Sequence, residues 1–214
     1  MKAITGIVVL AAGSSSRLGQ PKQLLSYKNT SLLKNTISQA SQVANTTIIV
    51  VTGSNHELIE KEITNPEIKT IYNPDWELGM SSSITKGLKE SLRLYPDIQK
   101  IIFTVCDQPF IINIVFENLI NEHQKTEKGI IASAYSGTLG TPVLFYKKYF
   151  NELLELKGQE GAKKIINKFL DDTTAIPFEN GAIDIDTMED YNRLIFLGGS
   201  KRQRDIGAKV QRDK

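Results

Sequence analysis

A loop near the start of the chain combines small residues with two basic side chains. It reads LAAGSSSRLGQPKQLL and begins at Leu10. The small residues at Ala11, Ala12 and Gly13 let a ligand approach the backbone closely. Successive backbone N–H groups in such a turn form a concave anion-binding nest. Since Arg17 and Lys22 add fixed positive charge, the loop has the donors that a triphosphate needs.

Two well-known glycine-rich phosphate loops do not match this segment. A G-x-x-x-x-G-K-[ST] loop would need a lysine directly after Gly19, where the chain has Gln20. The dinucleotide-binding pattern G-x-G-x-x-G is missing as well. From composition alone, a plain surface loop with two solvated basic residues stays open as the alternative.

A single carboxylate, Asp107, follows the apolar run Lys100–Val105 in the sequence CDQP. A carboxylate at the end of a buried strand is suited to hold Mg²⁺, which in turn bridges phosphate oxygens. The alternative is that Asp107 caps a helix that begins after Pro109. Its expected position at the same sheet edge as the basic loop favours the metal role.

Two further carboxylates, Asp184 and Asp186, stand two residues apart in AIDIDTMED. Alternate residues of an extended segment point to the same side, so both are able to contribute a second metal contact. The alternative is that they complement the dipole of the helix that follows. Thr187 and Asp190 have the spacing of a helix N-cap and its reciprocal partner.

Hydrophobic periodicity predicts the elements that must position these residues. Buried strands are expected at Ile4–Leu10, Thr46–Thr52, Ile68–Tyr72, Lys100–Val105, Gly129–Ala134, Pro142–Tyr146 and Thr173–Phe178. Helices are expected at Ser31–Ser41, Asn55–Ile63, Ser82–Leu94, Ile111–Lys125, Gly161–Leu170 and Thr187–Leu197.

This order predicts an α/β fold: a single Rossmann-like, three-layer domain with a mostly parallel twisted sheet and helices on both faces. Ligands of such sheets bind beyond the carboxyl ends of the strands. The loop after Leu10 and the carboxylate of Asp107 both follow strands there. We therefore expect them to lie at one edge of the sheet.

The 214 residues suggest one domain, over residues 1–197, followed by a basic tail over residues 198–214 that we expect to be flexible. The tail holds six basic and two acidic residues, whereas the whole chain has a net charge of +2. The remainder is therefore close to neutral, which argues against nucleic acid as a partner.

The composition also restricts the compartment and the roles of two conspicuous side chains. No stretch is long and apolar enough for a membrane span. The one cysteine, Cys106, excludes an intramolecular disulfide and favours a cytoplasmic location. We interpret Cys106 as a core residue, and Trp76 as a loop anchor in preference to a stacking surface for a ligand.

Four segments in order carry a resemblance to a known family. L-A-A-G-x-S-x-R-L-G-x-P-K-x-L-L is followed by D-Q-P, then by G-T-P-V-L-F, and near the end by D-I-D-T-x-E-D. Over residues 4–195 the chain resembles the molybdenum cofactor cytidylyltransferases, within the wider nucleotidyltransferase group. The resemblance implies a nucleotide-diphospho-sugar transferase type of fold and transfer of CMP from CTP to molybdopterin.

The resemblance also implies roles for individual residues. Backbone around Leu10, Ala11, Ala12 and Gly13 would hold the base and the sugar, and Arg17 and Lys22 the triphosphate. Mg²⁺ would be bound by Asp107 and Asp186, with Asp184 in reserve. Ser83 matches a position that contacts base or ribose, and Gly53 is expected to line the base pocket.

The choice of base rests on two positions of the resemblance. Guanine-using relatives tend to have L-A-G-G where this chain has Ala12, and aspartate before the lysine where it has Pro21. Both positions favour CTP, and a methyl group at Ala12 would narrow the space open to a purine.

The acceptor side departs from the family pattern. Thr141 replaces a common histidine, and Gly158–Lys163 departs from G-D-x-G-A-R. The acceptor is therefore less determined than the nucleotide. An enzyme of the same group with another substrate pair, GTP with molybdopterin or a sugar phosphate as acceptor, stays open as an alternative. So does a non-catalytic role, in which the protein carries the cofactor to a molybdenum hydroxylase apoenzyme.

Overall fold

The computed structural model describes residues 5–196, so the predicted tail over residues 198–214 lies outside the described part. The strands are β1 (Thr5–Ala11), β2 (Ser26–Tyr27), β3 (Thr30–Ser31), β4 (Thr46–Thr52), β5 (Lys69–Tyr72), β6 (Lys100–Val105), β7 (Ile130–Tyr135), β8 (Thr138–Tyr146) and β9 (Thr173–Pro177). The helices are α1 (Leu32–Ser41), α2 (His56–Glu62), α3 (Met80–Leu94), α4 (Asn113–Thr126), α5 (Phe150–Leu154), α6 (Ala162–Lys168) and α7 (188–196).

Seven of these strands form one sheet in the order β5-β4-β1-β6-β8-β7-β9. The pairs β5–β4, β4–β1, β1–β6 and β7–β9 are parallel, whereas β8 runs antiparallel to both of its neighbours. The predicted α/β architecture with a mostly parallel sheet is confirmed. The carboxyl ends of β1, β4 and β6 lie at one edge, and because β8 runs antiparallel to β6, its first residues lie at that edge as well.

Both faces of the sheet are buried, because successive side chains of a strand point to opposite faces. Ile7 and Val9 of β1 face a core that α1, α2 and α4 cover. Val8, between them, faces a second core under α3, α5 and α6. Each of these three side chains is fully buried, which stabilises the fold by about 1.5–3 kcal/mol per side chain.

A third, smaller cluster lies beyond the sheet edge and joins segments distant in the chain. Leu18 and Leu25 of the basic loop pack in it with Ile185 and with Leu194 of α7. The antiparallel hairpin β2–β3 adds Tyr27 to the same cluster. Apolar contact therefore fixes the loop after β1 against the last described segment of the chain.

The predicted elements differ from the observed ones mainly at their ends. Strand β8 is longer than predicted, and β2, β3 and α5 were not predicted. Two-residue strands and a five-residue helix are too short to produce a periodic pattern. No helix within residues 5–196 combines the length and hydropathy needed to cross a membrane.

Candidate active site

Lys22 connects three segments that are far apart in the sequence. Its Nζ lies 2.5 Å from Oδ2 of Asp107, which follows β6, and 3.1 Å from Oδ1 of Asp186, which precedes α7. The side chains of Lys22 and Asp107 are only 17% and 16% exposed. Two predicted carboxylates and one predicted cation thus meet at the carboxyl edge of the sheet.

Burial and charge act in opposite directions on this group. Burial lowers the pKa of Lys22, but the adjacent Asp107 and Asp186 carboxylates raise it further, so the net shift is upward. Burial likewise raises the pKa of Asp186, and hydrogen bonds from Lys22 and Arg17 outweigh it and lower that pKa. The ammonium and the Asp186 carboxylate are therefore both charged near neutral pH.

Arg17 reaches the same carboxylate from the exposed side. Its guanidinium donates to Oδ2 of Asp186 at 2.9 Å, while its side chain stays 69% exposed. Burial, and after it the charges of Asp186 and Asp107, raise the pKa of Asp184. Asp186 thus has the direct contacts with both cations, and Asp184 has none of them.

The backbone explains why these residues meet. The N–H of Ile185 donates to the carbonyl of Asp107 at 3.0 Å, which joins the segment before α7 to the end of β6. Thr187 and Asp190 bond reciprocally, N–H to side chain, at 2.9 and 3.2 Å. This is the predicted capping pair, and it starts α7 directly after Asp186.

The alternative that Asp107 caps a helix is wrong. Helix α4 begins at Asn113, six residues later, and its N-cap position is Ile112. Asp107 instead directs its carboxylate to Lys22. Its neighbour Cys106 is 2% exposed, and burial raises the pKa of its thiol to about 12. The cysteine is therefore the core residue that the sequence predicts.

Two residues predicted for the base side, Ala12 and Gly53, pack tightly against each other and against Trp76. We call these three residues the wall. Gly53, after β4, approaches Ala12 and Trp76 so closely that a Cβ on Gly53 would lie 2.6 Å from Trp76 Cβ and 2.7 Å from the Ala12 carbonyl oxygen. Any larger residue at this position would have to displace that backbone. Trp76 is half-buried here, in keeping with a loop anchor.

Ser83 lies on the first turn of α3. Its hydroxyl accepts a hydrogen bond from Nδ2 of Asn73 at 3.1 Å, and the same amide donates to Ser82 at 2.9 Å. Asn73 is 2% exposed, and its own N–H donates to the carbonyl of Thr52 at the end of β4. Ser83 is thus fixed near the carboxyl ends of β4 and β5.

Three polar residues that organise the site were not singled out from the sequence: Gln23, Asn73 and Gln108. Gln108 donates to the carbonyls of Thr141 and Gly181 at 3.1 and 2.9 Å, and so joins the end of β6 to β8. The amides of Gln23 and Gln108 come directly after Lys22 and Asp107. That adjacency is the signal by which sequence reasoning could have found them.

The segment Gly158–Lys163, which we expect to face the acceptor, contacts the start of α3 and the start of β8. The carbonyl of Gly158 accepts hydrogen bonds from both N–H and hydroxyl of Ser81, at the start of α3. Lys163, where the family pattern has arginine, donates from Nζ to Thr138 Oγ1 at 2.8 Å. A basic side chain is therefore present beside the start of β8, and it is exposed.

The donor set fits a hard divalent cation. Carboxylate oxygens of Asp107 and Asp186 converge on one positively charged nitrogen within 3.1 Å, and oxygen is the ligand type that Mg²⁺ prefers. Among the described residues, no group of three His, Cys, Asp or Glu side chains is placed to hold a metal. Protein sites for Mg²⁺ commonly supply one or two carboxylates, and substrate phosphates complete the coordination.

A mostly parallel α/β sheet with a basic loop after its first strand and carboxylates at the same edge is typical of transferases that use nucleoside triphosphates. Residues 7–173 match the family described as the MobA-like NTP transferase domain. This match covers most of the chain, so the protein belongs to that family and is a nucleotidyltransferase.

One similar curated protein is the molybdenum cofactor cytidylyltransferase of Escherichia coli K12. It is 26% identical over 188 residues, which make up 86% of this chain and 92% of that protein. The predicted resemblance is thereby confirmed at the level of the family.

Solved structures agree with this assignment. The Mycobacterium sp. strain JC1 homologue of Rv0371c is 29% identical, covers 90% of this chain and 96% of its own, and superposes with a TM-score of 0.79. Rv0371c of Mycobacterium tuberculosis H37Rv, in complex with manganese, is 25% identical, covers 90% and 98%, and has a TM-score of 0.74.

Proposed function

We propose that this protein transfers CMP from CTP to a terminal phosphate of molybdopterin or its molybdenum cofactor form, and so releases pyrophosphate. The observation that carries the proposal is the convergence of Lys22, Asp107 and Asp186 beside the loop after β1. It combines a cation for the phosphates with oxygen donors for a metal at the sheet edge where ligands of such folds bind. The similarity to the Escherichia coli cytidylyltransferase supports the choice of substrates.

In the proposed reaction, an oxygen of the acceptor phosphate attacks the α-phosphorus of CTP. One phosphorus–oxygen bond forms, the bond from the α-phosphorus to the bridging oxygen breaks, and pyrophosphate leaves with that electron pair. A phosphate monoester is already ionised near neutral pH, so the protein needs no general base. Its contribution is to align two anions and to stabilise the charge on the leaving group.

The proposed roles follow the geometry of the side chains. Lys22 and Arg17 contact the triphosphate and stabilise the leaving pyrophosphate. Asp107 and Asp186 would hold Mg²⁺, which supplies neutralisation of the charge on the reacting phosphates. The backbone of Leu10–Gly13, together with Gly53 and Ser83, forms the base and sugar side of the site.

Two further parts of the hypothesis depend on the proposed reaction. We propose that residues 1–197 form the catalytic unit and that the protein acts in the cytoplasm, where a molybdenum hydroxylase apoenzyme receives its product. A pure carrier would not require Lys22 to contact both Asp107 and Asp186, so the geometry favours the enzyme.

The test is pyrophosphate release by the full-length protein with Mg²⁺ and molybdenum cofactor, measured separately with CTP, GTP, ATP and UTP. We expect release with CTP. Release with GTP alone would keep the reaction and overturn the proposed base. Triphosphate binding without release would contradict the proposed acceptor, and a parallel assay with sugar phosphates would test the alternative acceptor class.

A further inference from the structure

Gln23 is a buried glutamine that contacts the loop after β1. We call this loop, residues 11–22, the nucleotide loop, after the role proposed for it. Gln23 is 1% exposed, and its Nε2 donates to the carbonyl oxygens of Ala11 and Gly13, both at 2.9 Å. One side-chain amide therefore holds two alternate carbonyls of the segment that leaves β1. A buried amide with both of its N–H groups engaged is costly to replace, because its partners lose their hydrogen bonds.

The carbonyl between them is also held by the protein. The oxygen of Ala12 accepts from the N–H of Ser54 at 3.1 Å. All three carbonyls from Ala11 to Gly13 thus have partners inside the fold. Carbonyl oxygens carry partial negative charge, so their removal from the loop surface leaves an environment more favourable to an anion.

The N–H groups of the loop have the opposite arrangement. Within residues 5–196, no group accepts a hydrogen bond from the backbone N–H of residues 13–17. A Cβ placed on Gly13 would meet no atom within 4 Å, so the space beside this backbone is open. Successive N–H groups that lack internal partners next to open space are what an anion-binding loop provides.

The same glutamine is linked to the lysine of the site. The N–H of Lys22 donates to Ser15 Oγ at 3.0 Å, and that hydroxyl donates to Gln23 Oε1 at 3.4 Å. Gln23 therefore contacts the loop at Ala11 and Gly13 through its side-chain nitrogen. Through its side-chain oxygen and the Ser15 hydroxyl it is linked to the backbone N–H of Lys22. One buried side chain therefore holds both ends of the loop.

We propose that Gln23 is a positioning residue for the nucleotide loop. It holds the carbonyl oxygens of Ala11 and Gly13 away from the triphosphate, and it fixes Lys22 relative to the backbone N–H groups of the loop. The inference rests on the proposed function, since it assumes that the loop binds a nucleoside triphosphate. Gln23 is buried, so it acts through the loop and through Lys22.

The test compares Gln23→Glu and Gln23→Met with the wild-type protein. Glutamate would direct an oxygen towards two carbonyl oxygens, and methionine keeps the length without any hydrogen bond. For both we expect the Kd of CTP with Mg²⁺, measured by calorimetry, to rise about tenfold or more, as the loss of two hydrogen bonds implies. The KM of the acceptor should change by less than about twofold, because a positioning effect confined to the nucleotide loop leaves acceptor contacts intact.

Two further variants separate positioning from a general loss of stability. Asn35→Leu removes another buried amide, which donates to the carbonyl of Pro109 at 3.4 Å, and it should leave the Kd of CTP unchanged. Ser15→Ala keeps both carbonyl bonds and removes only the link to Lys22, so its effect should be smaller than that of Gln23→Met.

The outcomes distinguish this inference from the proposed function. The positioning role would be overturned if Asn35→Leu weakened CTP binding as much as the Gln23 variants do, or if folded Gln23→Met and Gln23→Glu bound CTP as tightly as wild type. In either case, CTP binding by the wild-type protein would leave the proposed function standing. Wild-type protein that bound none of the four triphosphates would overturn the proposed function itself.

Discussion

At the scale of single residues, Lys22 is the centre of the charge balance in the site. Its ammonium contacts Asp107 and Asp186 at 2.5 and 3.1 Å, and these three side chains are largely or partly buried. A buried charge is tolerated only when it is paired. The pairing explains why the site can keep two carboxylates and a lysine together before any substrate phosphate enters.

Asp107→Asn should abolish most of the activity. The variant keeps the size of the side chain but removes the charge that pairs with Lys22 and that would hold the metal in the proposed site. We expect the turnover number to fall about 10³-fold, which corresponds to about 4 kcal/mol of barrier. Steady-state pyrophosphate release measures it.

Asp97→Asn, at an exposed position after α3, is the matched control and should behave as wild type. Near-normal turnover in Asp107→Asn would remove Asp107 from the metal site.

Ala12→Gly should widen the base side of the site. The Ala12 methyl lies beside the position where Gly53 approaches, and Trp76 closes the same wall. If the Ala12 methyl selects the smaller base, removing it should raise the ratio of kcat/KM for GTP to kcat/KM for CTP. We expect a rise of about tenfold, which is the scale of one methyl group in a pocket. Competition assays with both triphosphates give this ratio.

Ala44→Gly, at an exposed turn, controls for the effect of glycine itself. An unchanged GTP to CTP ratio in Ala12→Gly would leave the proposed base choice without its structural reason.

At the scale of elements, two devices hold the chain in place around the sheet. The third hydrophobic cluster fixes the loop after β1 against α7. On the other side, Asp172 lies just before β9 and accepts from Tyr149 Oη at 2.5 Å and from the Gly129 N–H at 3.2 Å, and Lys148 Nζ lies 2.7 Å away. This carboxylate joins the start of β9 to the end of β8 and the start of β7.

Asp172→Asn should lower the free energy of unfolding in a pH-dependent way. Burial acts to raise the pKa of Asp172, but hydrogen bonds from Lys148 and Tyr149 prevail and lower it. A lowered pKa means that the contribution is fully present above the unfolded value of about 3.9 and is lost as the pH falls through the lower folded value. Because the side chain is 29% exposed, we expect about 1 kcal/mol near pH 7.

Urea unfolding at pH 7 and below pH 4 measures this difference. Asp171→Asn, an exposed neighbour whose contact with Lys128 is made by its backbone carbonyl, is the control and should show no such trend. A difference between wild type and Asp172→Asn that stays constant down to pH 2 would contradict the electrostatic account.

At the scale of the whole molecule, the site is assembled from segments separated by up to 169 residues, the interval between Arg17 and Asp186. A ligand that contacts all of them binds the folded state and not the unfolded chain. Binding free energy is therefore added to the stability of the fold.

We expect CTP with Mg²⁺ to stabilise the protein against heat. At a free concentration about 100 times its Kd, the nucleotide adds about 2.7 kcal/mol. For a domain of this size that corresponds to a rise in Tm of roughly 5–11 °C.

Differential scanning calorimetry with and without EDTA tests whether the nucleotide raises the Tm and whether the metal is needed for that rise. Removal of the metal by EDTA should abolish most of the rise, whereas the Tm of the protein without nucleotide should not change. An equal rise with EDTA present would contradict the proposed role of Asp107 and Asp186 as metal ligands.

The sequence by itself determined the alternation of elements and the basic loop. Continuous apolar strands such as Thr46–Thr52 and helical spacing such as that of Ser82–Leu94 are local signals, so they predict β4 and most of α3 directly. The reciprocal pair Thr187 and Asp190 is local as well, and it predicts the start of α7. Hairpin β2–β3 has no such signal, because two-residue strands carry no period.

Only the tertiary structure decided which polar groups meet. Nothing local distinguishes Asp186 from Asp184, since both lie on one extended segment. The bond from Ile185 to Asp107 and the cluster around Leu18 set the register that brings Asp186 to Lys22. The role of Gln23 depends likewise on a fold-back over 12 residues to Ala11. Such contacts are set by packing between elements, and so are invisible in the order of residues along one of them.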